Sequence, residues 1–74
     1  MNEQDLREIQ HQANRLTYQA RACLERLIIA RRSGDARRIS QAHQDAYARA
    51  HLIRTAATAI IARLDADQET NHGQ

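Results

Sequence analysis

The stretch RRSGD at residues 31–35 decides the fold, because it holds the only glycine before position 73 in a chain that has no proline. Gly34 can take the left-handed backbone conformation that closes a helix, and Asp35 can cap the first turn of a following helix. The flanking sequence is dominated by Ala, Leu, Arg, Gln and Glu, which all favour helix. The sequence therefore predicts two long helices joined by a turn.

Apolar or small residues repeat with heptad spacing on both sides of this turn, which is typical of helices that pair along one stripe. The first stripe consists of Leu6, Ile9, Ala13, Leu16, Ala20, Cys23, Leu27 and Ala30. The second consists of Ile39, His43, Ala46, Ala50, Ile53, Ala57, Ile60 and Leu64. If the chain folds back at the turn, the stripes pair in one constant register, from Ala30/Ile39 beside the turn to Leu6/Leu64 at the open end, with His43 facing Leu27.

The predicted fold class is all-α: an antiparallel two-helix hairpin, coiled-coil-like, able to dimerise into a four-helix bundle. We expect the hairpin to occupy residues 1–66, with helix 1 at about 3–32, a turn at 33–35 and helix 2 at about 36–65. Residues 67–74 are polar, and acidic side chains are unfavourable at a helix C-terminus. These residues are therefore predicted to form a flexible tail.

Apolar residues that neither stripe uses predict a binding surface, since clustered exposed apolar side chains usually mark an interface. Leu24 and Ile28 lie one turn apart, with Tyr47 across from Leu24 and Ile61 further along, while Leu52 belongs to a second strip on the other flank. The predicted partner-binding residues are Leu24, Ile28, Tyr47, Leu52 and Ile61. The alternative is ordinary exposed surface. Because a core of this size rarely contributes more than roughly 3–5 kcal/mol, a helical protein partner or a second copy is expected.

The charged residues divide the predicted hairpin into a basic turn end and an acidic open end. The basic cluster consists of Arg26, Arg31, Arg32, Arg37 and Arg38. Cations in the first turn of helix 2 oppose the helix dipole, so this cluster could serve an acidic partner or a phosphate backbone. The alternative is a solvated loop that keeps the protein soluble. Nucleic-acid binding is the less favoured possibility, since neither aromatic stacking residues nor a continuous basic helix face is evident.

The sequence predicts no catalytic, cofactor-binding or metal-binding residues and no small-molecule substrate. The histidines do not converge, and no zinc spacing, phosphate-binding loop or carboxylate pair is present. A Cys23/His43 nucleophile pair lacks a third group, so packing is the favoured role for both residues. The N-terminal stretch MNEQDLREIQ has no basic region followed by an apolar run, and no segment is long and apolar enough for a membrane span. These features predict a soluble, cytoplasmic, non-enzymatic protein without membrane partners.

By layout the chain resembles the E-type co-chaperones of type III secretion needles, which are small helical hairpins. The resemblance covers roughly residues 5–64 and is carried by the segment 32–35, by Ile39, Ala42 and Ala46, and by the alanine-rich segments 50–53 and 56–61. It implies a cytoplasmic protein that associates with a larger helical chaperone and helps to keep a needle subunit monomeric.

The layout is also similar to Rop-type plasmid RNA-binding hairpins, which dimerise into four-helix bundles. The shared features are the heptad layering, a cysteine in the core stripe and a polar tail. The leading hypothesis is a protein–protein interaction module, a small chaperone, co-chaperone or adaptor that packs its apolar flank on a helical partner. The alternative is a dimeric four-helix-bundle regulator that binds RNA or DNA through its arginine cluster.

Overall fold

Two helices account for nearly all of the protein in the computed structural model, which describes the backbone of residues 1–72 and the side chains of residues 1–68. Helix α1 spans Glu3–Ser33 and helix α2 spans Ala36–His72. The helices pack against each other in a rod that measures 59 × 17 × 11 Å. The predicted all-α helical hairpin is therefore confirmed.

The turn forms as its residue types predict. Gly34 has φ +69°, in the left-handed region, and its N–H donates to the carbonyl of Arg31 at 3.2 Å. The Asp35 carboxylate accepts a hydrogen bond from the N–H of Arg37 at 2.9 Å, which caps α2. The Ser33 hydroxyl donates to the carbonyl of Ala30 at 2.6 Å and accepts from the N–H of Asp35 at 3.2 Å. Short-range polar contacts thus fix the point at which the chain reverses.

A capping box begins α1. The Asn2 side chain accepts a hydrogen bond from the N–H of Asp5 at 2.8 Å, and the Asp5 carboxylate accepts from the N–H of Asn2 at 3.4 Å. This reciprocal arrangement satisfies two N–H groups that the first turn of a helix leaves without intrahelical partners. Helix α1 therefore has a defined cap at each end.

Helix α2 is longer than predicted, since it continues to His72 instead of ending near residue 65. The segment predicted as a flexible tail at 67–74 is helical as far as His72, and its last two residues lie outside the described part of the chain. Between Gly34 and Gly73 the sequence has no glycine or proline that would interrupt the helix. The unfavourable position of acidic residues in the last turns costs only a few tenths to about 1 kcal/mol each, too little to end a helix of good formers.

The contact between the helices is narrow. Ala30 is the only buried residue among residues 1–68, with 8% of its surface exposed. Nine further members of the predicted stripes are half-buried: Ile9, Leu16, Cys23, Leu27, Ile39, Ala46, Ile53, Ala57 and Ile60. These residues define the seam, which follows the predicted register without enclosing a core.

The seam is displaced toward one side of the predicted stripes. Gln19, Ala22, Ala42 and Ala56 are half-buried although they lie outside those stripes. Stripe members that are instead exposed are Leu6, Ala13, Ala20, His43, Ala50 and Leu64. The prediction that His43 faces Leu27 across the seam is therefore wrong. Burying an imidazole without hydrogen-bond partners is costly, and the methyl group of the neighbouring Ala42 is half-buried instead.

Polar contacts join the two helices at the open end of the hairpin. Arg63 lies 3.7 Å from the Asp5 carboxylate, and the Met1 amine donates a hydrogen bond to Asp67. That hydrogen bond, followed by the negative charge of Asp67, raises the pKa of the Met1 amine. Solvent-accessible ion pairs of this kind contribute little stability. They are consistent with the register of the two helices but are not its main cause.

Replacing Gly34 with alanine should destabilise the hairpin by about 1 kcal/mol, because an L side chain is strained at positive φ. Apart from Gly34 and its two chain neighbours, no residue has an atom within 4 Å of the added methyl group, so the loss comes from the backbone conformation. Chemical denaturation followed by circular dichroism measures it. Gly34→Asn is the matched control, since asparagine tolerates the left-handed region, and an equal loss in both variants would contradict the backbone explanation.

The displaced seam predicts opposite outcomes for two neighbouring positions. Ala42→Gln should destabilise the protein by about 1–3 kcal/mol, because a larger side chain overpacks a half-buried contact. His43→Gln should stay within about 0.5 kcal/mol of wild type, as exposed substitutions usually do. Denaturation midpoints of the two variants check this. A larger loss of stability in His43→Gln than in Ala42→Gln would contradict the displaced seam and support the seam expected from the heptads.

Candidate functional site

The displaced seam leaves the hairpin with two unlike flanks. At about 100° per helical residue, positions two apart point to opposite sides of a helix. Arg54 lines one groove along the seam, together with Leu24 and Leu27, whereas Leu52 lines the groove on the other side, together with Arg26 and Arg49. We call the first side the apolar flank and the second the arginine flank.

The groove on the apolar flank is formed almost entirely by aliphatic side chains. Its lining residues are Ala20, Cys23, Leu24, Leu27, Ala46, Ala50, Ile53 and Arg54. Ala20 and Ala50 come from the displaced part of the predicted stripes, so residues expected to pack inside the hairpin instead form the floor of an open groove. Arg54 is its one charged member, and a long side chain of this kind can lay its stem on apolar surface while its guanidinium stays in water.

Large exposed residues extend the apolar flank beyond this groove. Leu6 is five helical turns from Leu24 and therefore shares its face, and Ile28 follows Leu24 by one turn. On α2, Tyr47 and Ile61 are two heptads apart and lie on the same side as Arg54. Leu24 is 58% exposed and Tyr47 is 81% exposed. The apolar flank thus runs along most of the hairpin.

The structure separates the predicted partner-binding residues into two groups. Leu24, Ile28, Tyr47 and Ile61 belong to the apolar flank, and all four are exposed. Leu52 is exposed as well, but it lies on the arginine flank, where it lines a groove with Leu16, Ala56 and Ile60. A single flat partner surface therefore cannot contact Leu24 and Leu52 together.

The arginine flank gathers basic side chains from both helices. Arg26 comes from α1, and Arg38 and Arg49 come from α2; all three line the same groove. Arg15 and Arg49 line the groove that continues toward the open end. The basic cluster predicted from the sequence includes Arg26 and Arg38 but neither Arg15 nor Arg49. The available signal was their spacing, since Arg15/Arg26 and Arg38/Arg49 are each about three helical turns apart.

The remaining arginines of the predicted cluster, Arg31, Arg32 and Arg37, are exposed around the turn and do not line these grooves. Asp45 lies among the groove residues of the arginine flank and accepts a hydrogen bond from the Gln41 amide at 3.0 Å. The flank is therefore basic but not uniformly so. Its glutamines and arginines offer hydrogen-bond donors beside the apolar side chains of Leu16, Leu52 and Ile60.

Among the described residues, no cluster of side chains suited to catalysis or metal binding is formed. His11, His43 and His51 are exposed, and residues 1–68 hold no group of three or more His, Cys, Asp or Glu side chains suited to a metal ion. Cys23 is half-buried and borders both grooves, whereas His43 points to solvent. The arrangement is suited to surface binding of another molecule, by apolar contacts on the apolar flank and by guanidinium hydrogen bonds on the arginine flank.

Comparison with protein-family models, with curated proteins and with solved structures finds no match to this chain. Over the described residues, neither helix has a stretch with the length and hydropathy required to cross a lipid bilayer.

Proposed function

We propose that the protein is a non-enzymatic interaction module, a small cytoplasmic adaptor or co-chaperone that packs its apolar flank against a helical partner. The observation that carries the proposal is a contrast in burial. Ala30 alone is buried among residues 1–68, while large aliphatic and aromatic side chains remain exposed, among them Leu24, Ile28, Tyr47 and Ile61 along the apolar flank.

The exposed area of the hairpin supports an additional binding event. A compact monomer of this mass would expose about 4,700 Å², and the hairpin exposes 6440 Å². The excess follows from the narrow seam, in which even the leucine and isoleucine side chains are only half-buried. A partner that covers the apolar flank would remove much of this excess from water.

The binding mechanism is burial of shared apolar surface. Complete burial of one leucine or isoleucine side chain contributes about 1.5–3 kcal/mol, so Leu24, Ile28 and Ile61 together could supply the larger part of a binding free energy. The partner is helical in this proposal because the groove between two adjacent, antiparallel helices accepts the side-chain ridge of a third helix. Arginines at the edges would steer the approach of an acidic partner.

Replacing Leu24 and Tyr47 together by alanine should weaken association at least about tenfold, because two large exposed side chains of the proposed interface lose their contact area. Partner capture from the source cells and size-exclusion mass measure this. Tyr18→Ala is the matched control, since Tyr18 is 75% exposed but lines a different groove with His11 and Asn14. If the double variant keeps wild-type capture and mass, or if Tyr18→Ala causes the same loss, the assignment of the apolar flank is wrong.

A second candidate function is nucleic-acid binding through the arginine flank. It is favoured by one observation, the row of Arg15, Arg26, Arg38 and Arg49 along grooves formed by both helices. Guanidinium groups bind phosphates in bidentate fashion, and a rod with such a row could follow the shape of a structured RNA without reading its bases.

Changing Arg26 and Arg49 together to glutamine should lower any nucleic-acid affinity and reduce the slope of log affinity against log salt by about 2, one unit for each lost phosphate contact. Gel-shift titrations from about 50 to 200 mM salt measure the slope. The control replaces Arg32 and Arg37, which have the same charge but lie outside the grooves. Absence of any shift for the wild type at the lowest salt would exclude this candidate.

A further inference from the structure

We propose that the partner on the apolar flank is a second copy of this chain, packed antiparallel so that the turn end of each hairpin meets the open end of the other. The inference rests on the proposed function, since it names the occupant of the same flank. It is carried by the distribution of charge and side-chain size along the rod.

The charge distribution selects the antiparallel orientation. The turn end carries Arg31, Arg32, Arg37 and Arg38 with one acid, Asp35, and the open end carries Glu3, Asp5, Glu8, Asp65 and Asp67 with two arginines, Arg7 and Arg63. The side chains therefore leave the turn end net positive and the open end net negative. Two copies packed in parallel would place four arginines of each chain beside four of the other. Two antiparallel copies would place each basic end beside an acidic end, so the charge pattern of one chain complements its own reverse.

Side-chain size follows the same symmetry. Near the middle of the rod the apolar flank carries Ala20 and Ala50, which permit close approach of two backbones. Large residues lie toward both ends, with Leu24, Ile28 and Tyr47 on the turn side and Leu6 and Ile61 on the open side. When the copies overlap fully, the large residues of one turn half face those of the other open half, around a centre of alanines.

The area of the flank is sufficient for a stable dimer. The broad face of the rod measures 59 by 17 Å, or about 1,000 Å², and a standard interface buries about 800 Å² on each partner. The resulting four-helix bundle would close the open groove and cover the apolar flank of both copies with a single isologous contact.

One ion pair between the copies follows from this arrangement. Arg31 is one heptad beyond Leu24, and Asp65 is one turn beyond Ile61, so both border the apolar flank at opposite ends of the chain. Within one hairpin they are separated by almost the full length of α1, about 40 Å at 1.5 Å per residue. With full antiparallel overlap, Arg31 of one copy lies level with Asp65 of the second copy.

A distance measurement tests the orientation directly. The full chain with Cys23→Ala and Ala36→Cys carries one spin label beside the turn, at an exposed neutral position. Circular dichroism confirms that the labelled variant remains helical, and light scattering confirms twice the 8.5 kDa chain mass. We expect a label separation of about 45 Å, set by the 31 residues of α1. A separation below about 25 Å would mean a parallel dimer and would overturn the proposal.

Charge reversal tests the predicted contact. Arg31→Glu and Asp65→Arg should each weaken dimerisation about 3- to 10-fold, and the double variant should recover most of the wild-type affinity. Arg26→Glu is the matched control, because it makes the same change of charge on α1 at a residue that lines the groove of the arginine flank. Failure of the double variant to recover, with helix content intact in all variants, would exclude the Arg31–Asp65 pairing and the full-overlap register.

The outcomes also separate this inference from the proposed function. A chain that stays monomeric over a wide concentration range, yet captures another protein in a manner that depends on Leu24 and Tyr47, overturns the homodimer and leaves the interaction module standing. A dimer that is unaffected by the Leu24/Tyr47 double alanine variant overturns both, because its interface would lie elsewhere.

Discussion

The close contact of small side chains along the seam is the interaction on which the rest of the structure depends. Ala30, Cys23 and Ala46 lie where the two helices meet, and methyl-sized groups let backbones approach closely. A seam built in this way covers little area, so it holds the register without enclosing the larger apolar residues. Many of those residues, such as Leu24 and Tyr47, are consequently exposed on the apolar flank, and the hairpin has more exposed apolar surface than buried core.

The fold could be predicted from the sequence because its determinants are local. Gly34 and Asp35 supply the conformation and the cap that a turn requires, and heptad spacing on both sides fixes antiparallel pairing. The displacement of the seam could not be predicted, because Ala42 and His43 both lie near the stripe and only packing decides between them. The predicted end of α2, near residue 65, rests on the unfavourable position of acidic residues at a helix C-terminus. That penalty is weak, and because no glycine or proline follows until Gly73, the helix continues to His72.

The candidate site was predicted in part. Exposed apolar residues such as Leu24 and Tyr47 could be found because the heptads leave them unused. Their separation from Leu52 depends on the angular position of the seam, which spacing alone does not determine. The sequence predicts a basic cluster only near the turn, where arginines are close together along the chain. Arg38 and Arg49 line the same groove but are three helical turns apart, so proximity in sequence does not group them. Faces of long helices are better sought by angle than by proximity in sequence.

The single short turn at Gly34 also has a consequence for the rate and order of folding. Every contact between the helices links residues that are symmetric about the turn, so the loop that must close grows steadily toward the open end. The entropy cost of loop closure is lowest beside Gly34, which favours a zipper that starts there and reaches the Met1–Asp67 contact last. Opening fluctuations should run in the reverse direction, with amide protection declining from the turn to the chain ends.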